Sequence, residues 1–276
     1  MSGRFRRNAP LAADAGLKVG GAQHLAHSID VLVQSETPGT LYIVSTPIGN
    51  PQDITLRAIE ILRSVSVVAA ENCGVTRTLL QFHGIETPII SFRSRGGGEA
   101  VSGLVDRLKS GDSLALVSDA GTPILADAGN KLVRAAISCG APVTAAPGPS
   151  AALAALVLSG SGADKRFVFD GFPPRGRSDR SAYFASLSRE TRTVILYETR
   201  LYLHDTLSRL TNAIGGERTL LVARNLTKPS ETLFHGSFAE AVTLFRDPPS
   251  GEYTLVVSSI PVPQAKHPAS PASNSG

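Results

Sequence analysis

From Leu41 onward, short apolar runs alternate with amphipathic stretches. Leu41-Tyr42-Ile43-Val44, Val67-Val68-Ala69-Ala70, Pro88-Ile89-Ile90-Ser91-Phe92, Leu114-Ala115-Leu116-Val117 and Pro142-Val143-Thr144-Ala145 are too short for helices. Largely apolar with little polar alternation, they predict strands covered on both faces, as in a parallel sheet. Between them, Ile54, Ala58, Ile61 and Leu62, then Val101, Leu104, Val105 and Leu108, then Leu132, Val133, Ala136 and Ile137 recur at helical spacing. Residues 75–83 and an alanine-rich stretch through Leu158 predict two more helices. Strand and helix in alternation make a parallel α/β domain over 39–160.

Ser159-Gly160-Ser161-Gly162-Ala163-Asp164 predicts an interdomain hinge. Beyond it, Phe167-Val168-Phe169, Thr193-Val194-Ile195-Leu196-Tyr197, Leu220-Leu221-Val222-Ala223 and Tyr253-Thr254-Leu255-Val256-Val257 predict strands, with helices at 178–188, 201–211 and 237–246. A second α/β domain with a mixed sheet is expected over 165–260. Residues 1–38 lack a sustained period and are expected to be a disordered or loosely ordered extension, and 261–276, rich in Pro, Ala and Ser, a disordered tail.

Three loops at strand ends are rich in Gly, Pro and hydroxyls: 45–51, 118–123 and 147–150. Parallel sheets bind ligands at their carboxyl ends, which puts Asp119, Gly121 and Thr122 at a crevice mouth. The alternative is an ordinary β-to-α connection, since Asp, Gly and Pro populate every loop. Glu71 closes another strand.

The 276 residues, 42% hydrophobic and 18% charged, suffice for two domains with real cores. A net charge of +4 is compatible with a polyanionic partner without requiring one. Cys73 and Cys139 lack ligand spacing, which predicts no metal site and a reduced, cytoplasmic setting. Arg4, Arg6 and Arg7 are not followed by a signal-peptide core, and no stretch approaches a membrane span. Arg93 and Arg95 in a glycine-rich loop, and Arg175, Arg177 and Arg180 after Gly171-Phe172-Pro173-Pro174, are candidates for phosphate contact; solvated loops are the alternative.

Tyr42-Ile43-Val44-Ser45-Thr46-Pro47-Ile48-Gly49-Asn50, Ala69-Ala70-Glu71, Val117-Ser118-Asp119-Ala120-Gly121-Thr122-Pro123 and Pro147-Gly148-Pro149-Ser150-Ala151 together resemble the tetrapyrrole-methylase superfamily. Asp170-Gly171-Phe172-Pro173-Pro174, Leu196-Tyr197-Glu198-Thr199, Ala223-Arg224-Asn225-Leu226-Thr227-Lys228 and Gly251-Glu252-Tyr253 continue the match to about Ser258. Within the superfamily the pattern resembles the ribosomal RNA small subunit methyltransferase I family. That resemblance implies two α/β domains with a cofactor cleft between them, in a homodimer. It implies S-adenosylmethionine as cofactor and 2′-O-methylation of a cytidine in small-subunit (16S) RNA, free or in the assembled subunit.

By motif match, the cofactor residues are Pro47, Ile48, Gly49, Asp119, Ala120, Gly121, Thr122, Pro123, Ile124, Ser150, Ala151, Tyr197, Gly251 and Glu252. Close backbone approach to the cofactor would explain the glycines. Glu71 and Asp119 are the candidate catalytic bases, with Glu198 third; Arg224 and Lys228 join the candidate RNA contacts. Where the family continues Ala-Glu with Asp-Thr-Arg, this chain has Asn72-Cys73-Gly74, and Asn225 replaces a Glu. Two alternatives stay open: a superfamily methylase acting on a tetrapyrrole, and, suggested by Asn72, Gly74 and Asn225, a catalytically weakened RNA-binding homologue.

Overall fold

The structure, a computed structural model, describes residues 37–92, 97–161, 166–214 and 218–259; at 97–99 it describes the backbone alone. Arg93, Arg95, most of the 1–38 extension and the 261–276 tail lie outside the described residues.

In the first half, strands β1 (Leu41–Val44), β2 (Val67–Ala70), β3 (Ile89–Ser91), β4 (Leu114–Val117) and β5 (Val143–Ala146) form one sheet in the order β3-β2-β4-β1-β5. Every pairing is parallel. Helices α1 (Leu56–Ser64) and α2 (Cys73–Phe82) cover one face, packing on Val44, Val68, Ala115 and Val117. Helices α3 (Gly97–Lys109) and α4 (Asn130–Ser138) cover the other, packing on Leu41, Val67, Leu114 and Leu116. Both faces are dry, which is why β4 reads as an unbroken apolar run. The chain leaves β1 toward β2 and leaves β4 toward β5, so the strand order reverses between these two central strands, and a crevice opens there.

The second sheet has the order β6-β7-β10-β8-β9, from β6 (Phe167–Gly171), β7 (Thr193–Thr199), β8 (Leu220–Arg224), β9 (Thr232–Gly236) and β10 (Glu252–Val257). Only β6 and β7 pair in parallel, so the sheet is mixed. One face is packed by α6 (Arg177–Leu187), α7 (Arg200–Ile214) and α8 (Phe238–Leu244). Against the other lies α5 (Ala151–Ser159), whose small Ala152 and Ala155 let it approach Ile195, Leu221 and Val256 closely. The break at Gly160 is therefore a helix stop, with φ of +67° at the C-cap, and the helix before it packs on the second sheet. No described helix is long and apolar enough to cross a membrane.

Candidate active site

The loops after β1, β4 and β5 are laced together by their own polar groups. Thr46 and Gly121 exchange two backbone hydrogen bonds of 2.8 and 3.0 Å. Ser45 Oγ lies 2.9 Å from Thr122 Oγ1, which donates to the Pro149 carbonyl at 3.1 Å, while Thr46 Oγ1 donates to the Ser118 carbonyl at 3.0 Å. Short hydroxyl side chains satisfy strand-end carbonyls that helix or sheet cannot reach. Gly121 takes φ of +83°, and Ile124 and Ala126 are held at +77° and +68°. The two non-glycine residues store strain of about 1–3 kcal/mol each, a feature that collects at ligand clamps.

Facing this rim, the second sheet closes a crevice of about 270 Å³. Ile48, Asp119, Ala120, Gly121 and Thr122, with Ser150-Ala151 at the start of α5, stand opposite Tyr197 and Gly251-Glu252. The Tyr197 hydroxyl accepts from Ala152 N at 3.2 Å, and burial raises its pKa, so it remains a phenol. Leu125, Ala126 and Asp127 also line the crevice and carried no sequence signal, while Phe172 and Thr199, present in the family motifs, join them there without having been expected at the site.

Pro47, Gly49, Pro123 and Ile124 do not line the crevice wall. Gly49 has a structural reason of its own. A Cβ there would lie 2.6 Å from the Leu226 carbonyl and 2.7 Å from Thr227 Oγ1, and the neighbouring Asn50 N donates to that hydroxyl at 3.0 Å. The glycine lets the two halves of the chain touch. Gly49→Ala is expected to cost about 1–3 kcal/mol by overpacking. A shift of the urea midpoint at unchanged slope would show it; a midpoint equal to wild type would mean that this contact yields freely.

Three carboxylates gather at the ends of β2 and β4. Asp119 Oδ1 accepts from Asn72 N at 3.2 Å. The Asn72 side chain in turn accepts from Gly74 N (3.0 Å) and Val75 N (3.4 Å), capping α2, so asparagine is a suitable replacement at this position. Glu71 is exposed and stands outside the crevice wall. Asp127 lines the crevice at its exposed rim, and its pKa is raised to about 6, first by partial desolvation against the crevice wall and then by the negative charges of Glu71 and Asp119, against a lowering hydrogen bond from Ser118. The field inside is negative. A cationic ligand such as a sulfonium fits that field, while Ile48, Leu125 and Leu226 offer apolar walls.

Glu198, the third candidate base, is not available for proton transfer. Its side chain is fully buried and accepts from Arg180 Nη2 (3.2 Å), Arg175 Nη1 (3.1 Å), Thr206 Oγ1 (2.6 Å) and Thr199 N (2.7 Å). For the same reason Arg180 is corrected from an RNA contact to an anchor, since it is 3% exposed and also bonds Asp205 at 2.7 Å. Arg175 is partly exposed and lies 4.1 Å from the Tyr202 ring centroid. Arg177, in the first turn of α6, is exposed. Arg224 donates to the Ser250 carbonyl at 2.8 and 2.9 Å, and Lys228 pairs with Glu252 at 2.7 Å.

Asn225 sits at φ of +52°, a conformation that asparagine tolerates better than glutamate. Its Oδ1 accepts from Glu252 N at 3.0 Å and its Nδ2 donates to Ser230 Oγ at 2.9 Å. The residue therefore fixes the loop that carries Gly251-Glu252 into the crevice. Among the described residues no group of three His, Cys, Asp or Glu is placed to hold a metal ion.

Comparison with known proteins agrees with this architecture. The family model for Tetrapyrrole (Corrin/Porphyrin) Methylases matches residues 40–242. A Xylella fastidiosa protein named ribosomal RNA small subunit methyltransferase I is 43% identical over 80% of this chain and 82% of its own. The Thermotoga maritima protein of that name is 39% identical over 80% of this chain and 98% of its own. Among solved structures, the methyltransferase CobJ superposes with a TM-score of 0.62 at 16% identity, over 80% of this chain and 94% of CobJ. A uroporphyrin-III C-methyltransferase from Thermus thermophilus, complexed with S-adenosylhomocysteine, gives 0.59 at 16% identity over 79% and 96%. With its parallel first sheet, mixed second sheet and matching sequence over four-fifths of the length, the chain belongs to the tetrapyrrole methylases and, within them, to the ribosomal RNA small subunit methyltransferase I family.

Proposed function

We propose that this protein transfers a methyl group from S-adenosylmethionine to the 2′-hydroxyl of a cytidine in small-subunit ribosomal RNA. The observation that carries this reading is the 43% identity, over 80% of the chain, to a protein named for small-subunit RNA methylation. Structures named for tetrapyrrole substrates share the fold at 16–21% identity, which does not favour a tetrapyrrole acceptor.

The loop from Asp119 to Thr122, Ser150-Ala151, Tyr197 and Gly251-Glu252 hold the cofactor. Bound there, S-adenosylmethionine supplies an electrophilic methyl carbon on a sulfonium centre. The negative crevice attracts the cation, and the rigid, laced loops fix its position, which lowers the entropy cost of aligning donor and acceptor. Asp127 accepts the proton of the attacking ribose hydroxyl. A carboxylate with a pKa near 6 is ionised at neutral pH and still basic enough to share the proton in the transition state. Asp119, tied to the first turn of α2, positions the loop. Arg177 and Arg175, on the second half, face the phosphate backbone, so binding weakens as salt rises.

The same reading includes a homodimer, taken from the family resemblance, in the cytoplasm, taken from the cysteine usage. Light scattering is expected to give twice the chain mass of 28.8 kDa; a monomer would contradict the dimer. Mapping ribose methylation on small-subunit RNA from a deletion strain tests the activity. Loss of one methylated cytidine is expected, and an unchanged pattern would refute it.

A further inference from the structure

Phe172 is 46% exposed, yet its ring is held in place at the crevice mouth. It meets Tyr197 edge-on at 5.6 Å between centroids, and the Arg175 guanidinium lies 5.7 Å from its centroid. Pro173-Pro174 follows directly and stiffens the backbone. Beside the crevice is a second recess of about 350 Å³, lined by Ala126, Phe169, Asp170, Gly171 and Phe172. The two hollows share Ala126 and Phe172 as a common wall.

Asp170 carries the polar chemistry of this recess. Its Oδ2 accepts from the Tyr183 hydroxyl at 2.9 Å, and among the described residues its other oxygen has no partner. Burial and the nearby Asp170 charge raise the Tyr183 pKa, so the phenol stays a donor to Asp170.

We propose that the recess is the acceptor-base subsite: Phe172 is the face on which the target base stacks, and the free Asp170 oxygen accepts a hydrogen bond from the base's exocyclic amino group. Single-stranded RNA is read by splaying bases onto aromatic rings and bonding their edges. An ionised carboxylate can only accept, so it pairs with the N4 amino group of cytosine and repels the O4 carbonyl of uracil. A nucleotide with its base in the recess has its ribose at the shared wall, beside the crevice. The inference rests on the ribose-methylation reading and names the subsite that selects the nucleotide.

The test is methyl transfer to purified small subunits carrying cytidine or uridine at the target position, with cofactor affinity measured separately by calorimetry. Phe172→Ala is expected to lower kcat/KM for subunits about 5- to 100-fold, as loss of a base–aromatic stack does, with cofactor Kd within about twofold; Phe172→Trp should restore most of the loss. Asp170→Asn keeps an acceptor for Tyr183, adds a donor, and should raise uridine transfer relative to cytidine about tenfold. Wild-type rates in Phe172→Ala, a loss matched by weaker cofactor binding, or an unchanged cytidine preference in Asp170→Asn would overturn the subsite alone. Wild-type protein without activity on subunits would overturn the methylation reading and the subsite with it.

Discussion

Replacing Asp127 with asparagine is expected to lower kcat about 10²- to 10⁴-fold at saturating cofactor, the range a positioned general base contributes. The side chain keeps its size and loses its basicity. In the wild type, activity should rise with pH through about 6 as the Asp127 carboxyl ionises, and this acid limb should vanish in the variant. Stability moves the other way. A carboxyl whose pKa is raised in the folded state, here from 3.8 to about 6, stabilises the fold when protonated. That contribution is complete below the ordinary carboxylate pKa and is lost as pH rises through about 6. Asp127→Asn should therefore unfold at a higher temperature than wild type above pH 6 while turning over far more slowly. A variant with near-normal kcat and an intact acid limb would move the base to Glu71 or Asp119.

Removing the Arg180 side chain should damage the fold rather than RNA binding. Glu198 and Arg180 are both buried, 0% and 4% exposed at the side chain, and hydrogen-bonded to one another at 3.2 Å. Breaking such a pair from one side leaves the buried Glu198 carboxylate with only Arg175, Thr206 Oγ1 and Thr199 N as partners and costs about 3 kcal/mol, the low end for a buried pair. Arg180→Ala is expected to lower the melting temperature by roughly 10 °C, given the size of the folded unit. The loss would be felt at the crevice, because Glu198 and Thr199 form part of its wall. A variant with wild-type stability and weaker RNA affinity would contradict this and return Arg180 to the RNA-contact surface.

These residues show where sequence reading reaches its limit. The central strands β2 and β4 of the first sheet are visible because burial on both faces removes polar alternation, whereas the edge strands β3 and β5, only partly buried, show by their short apolar runs alone. Strand β9 was not legible. It is an edge strand with Thr232, Leu233 and His235 exposed, so packing imposes no pattern on it. The loops at Thr46, Asp119 to Thr122 and Ser150 were readable from their Gly, Pro and hydroxyl content. Asp127 was not, since it lies in an irregular loop and becomes chemically distinct only when folding brings Glu71 and Asp119 near. Charge signs were legible for Arg175, Arg177 and Arg180, but not which of the three would be buried. Gly49 stands in a motif expected to approach the cofactor, and only geometry adds that Leu226 and Thr227 crowd the same position. Asn72 and Asn225 stood out as departures, and only geometry explains them, as a helix cap and as a left-handed corner.

The central claim is that the crevice between the two sheets carries out methyl transfer to a ribose. The most direct measurement uses purified protein, methyl-labelled S-adenosylmethionine and small subunits from a deletion strain, followed by alkaline hydrolysis of the RNA. The account predicts label in a single alkali-resistant dinucleotide containing a 2′-O-methylated cytidine, and loss of that label in Asp127→Asn. Label on a base, or none on RNA, would contradict it.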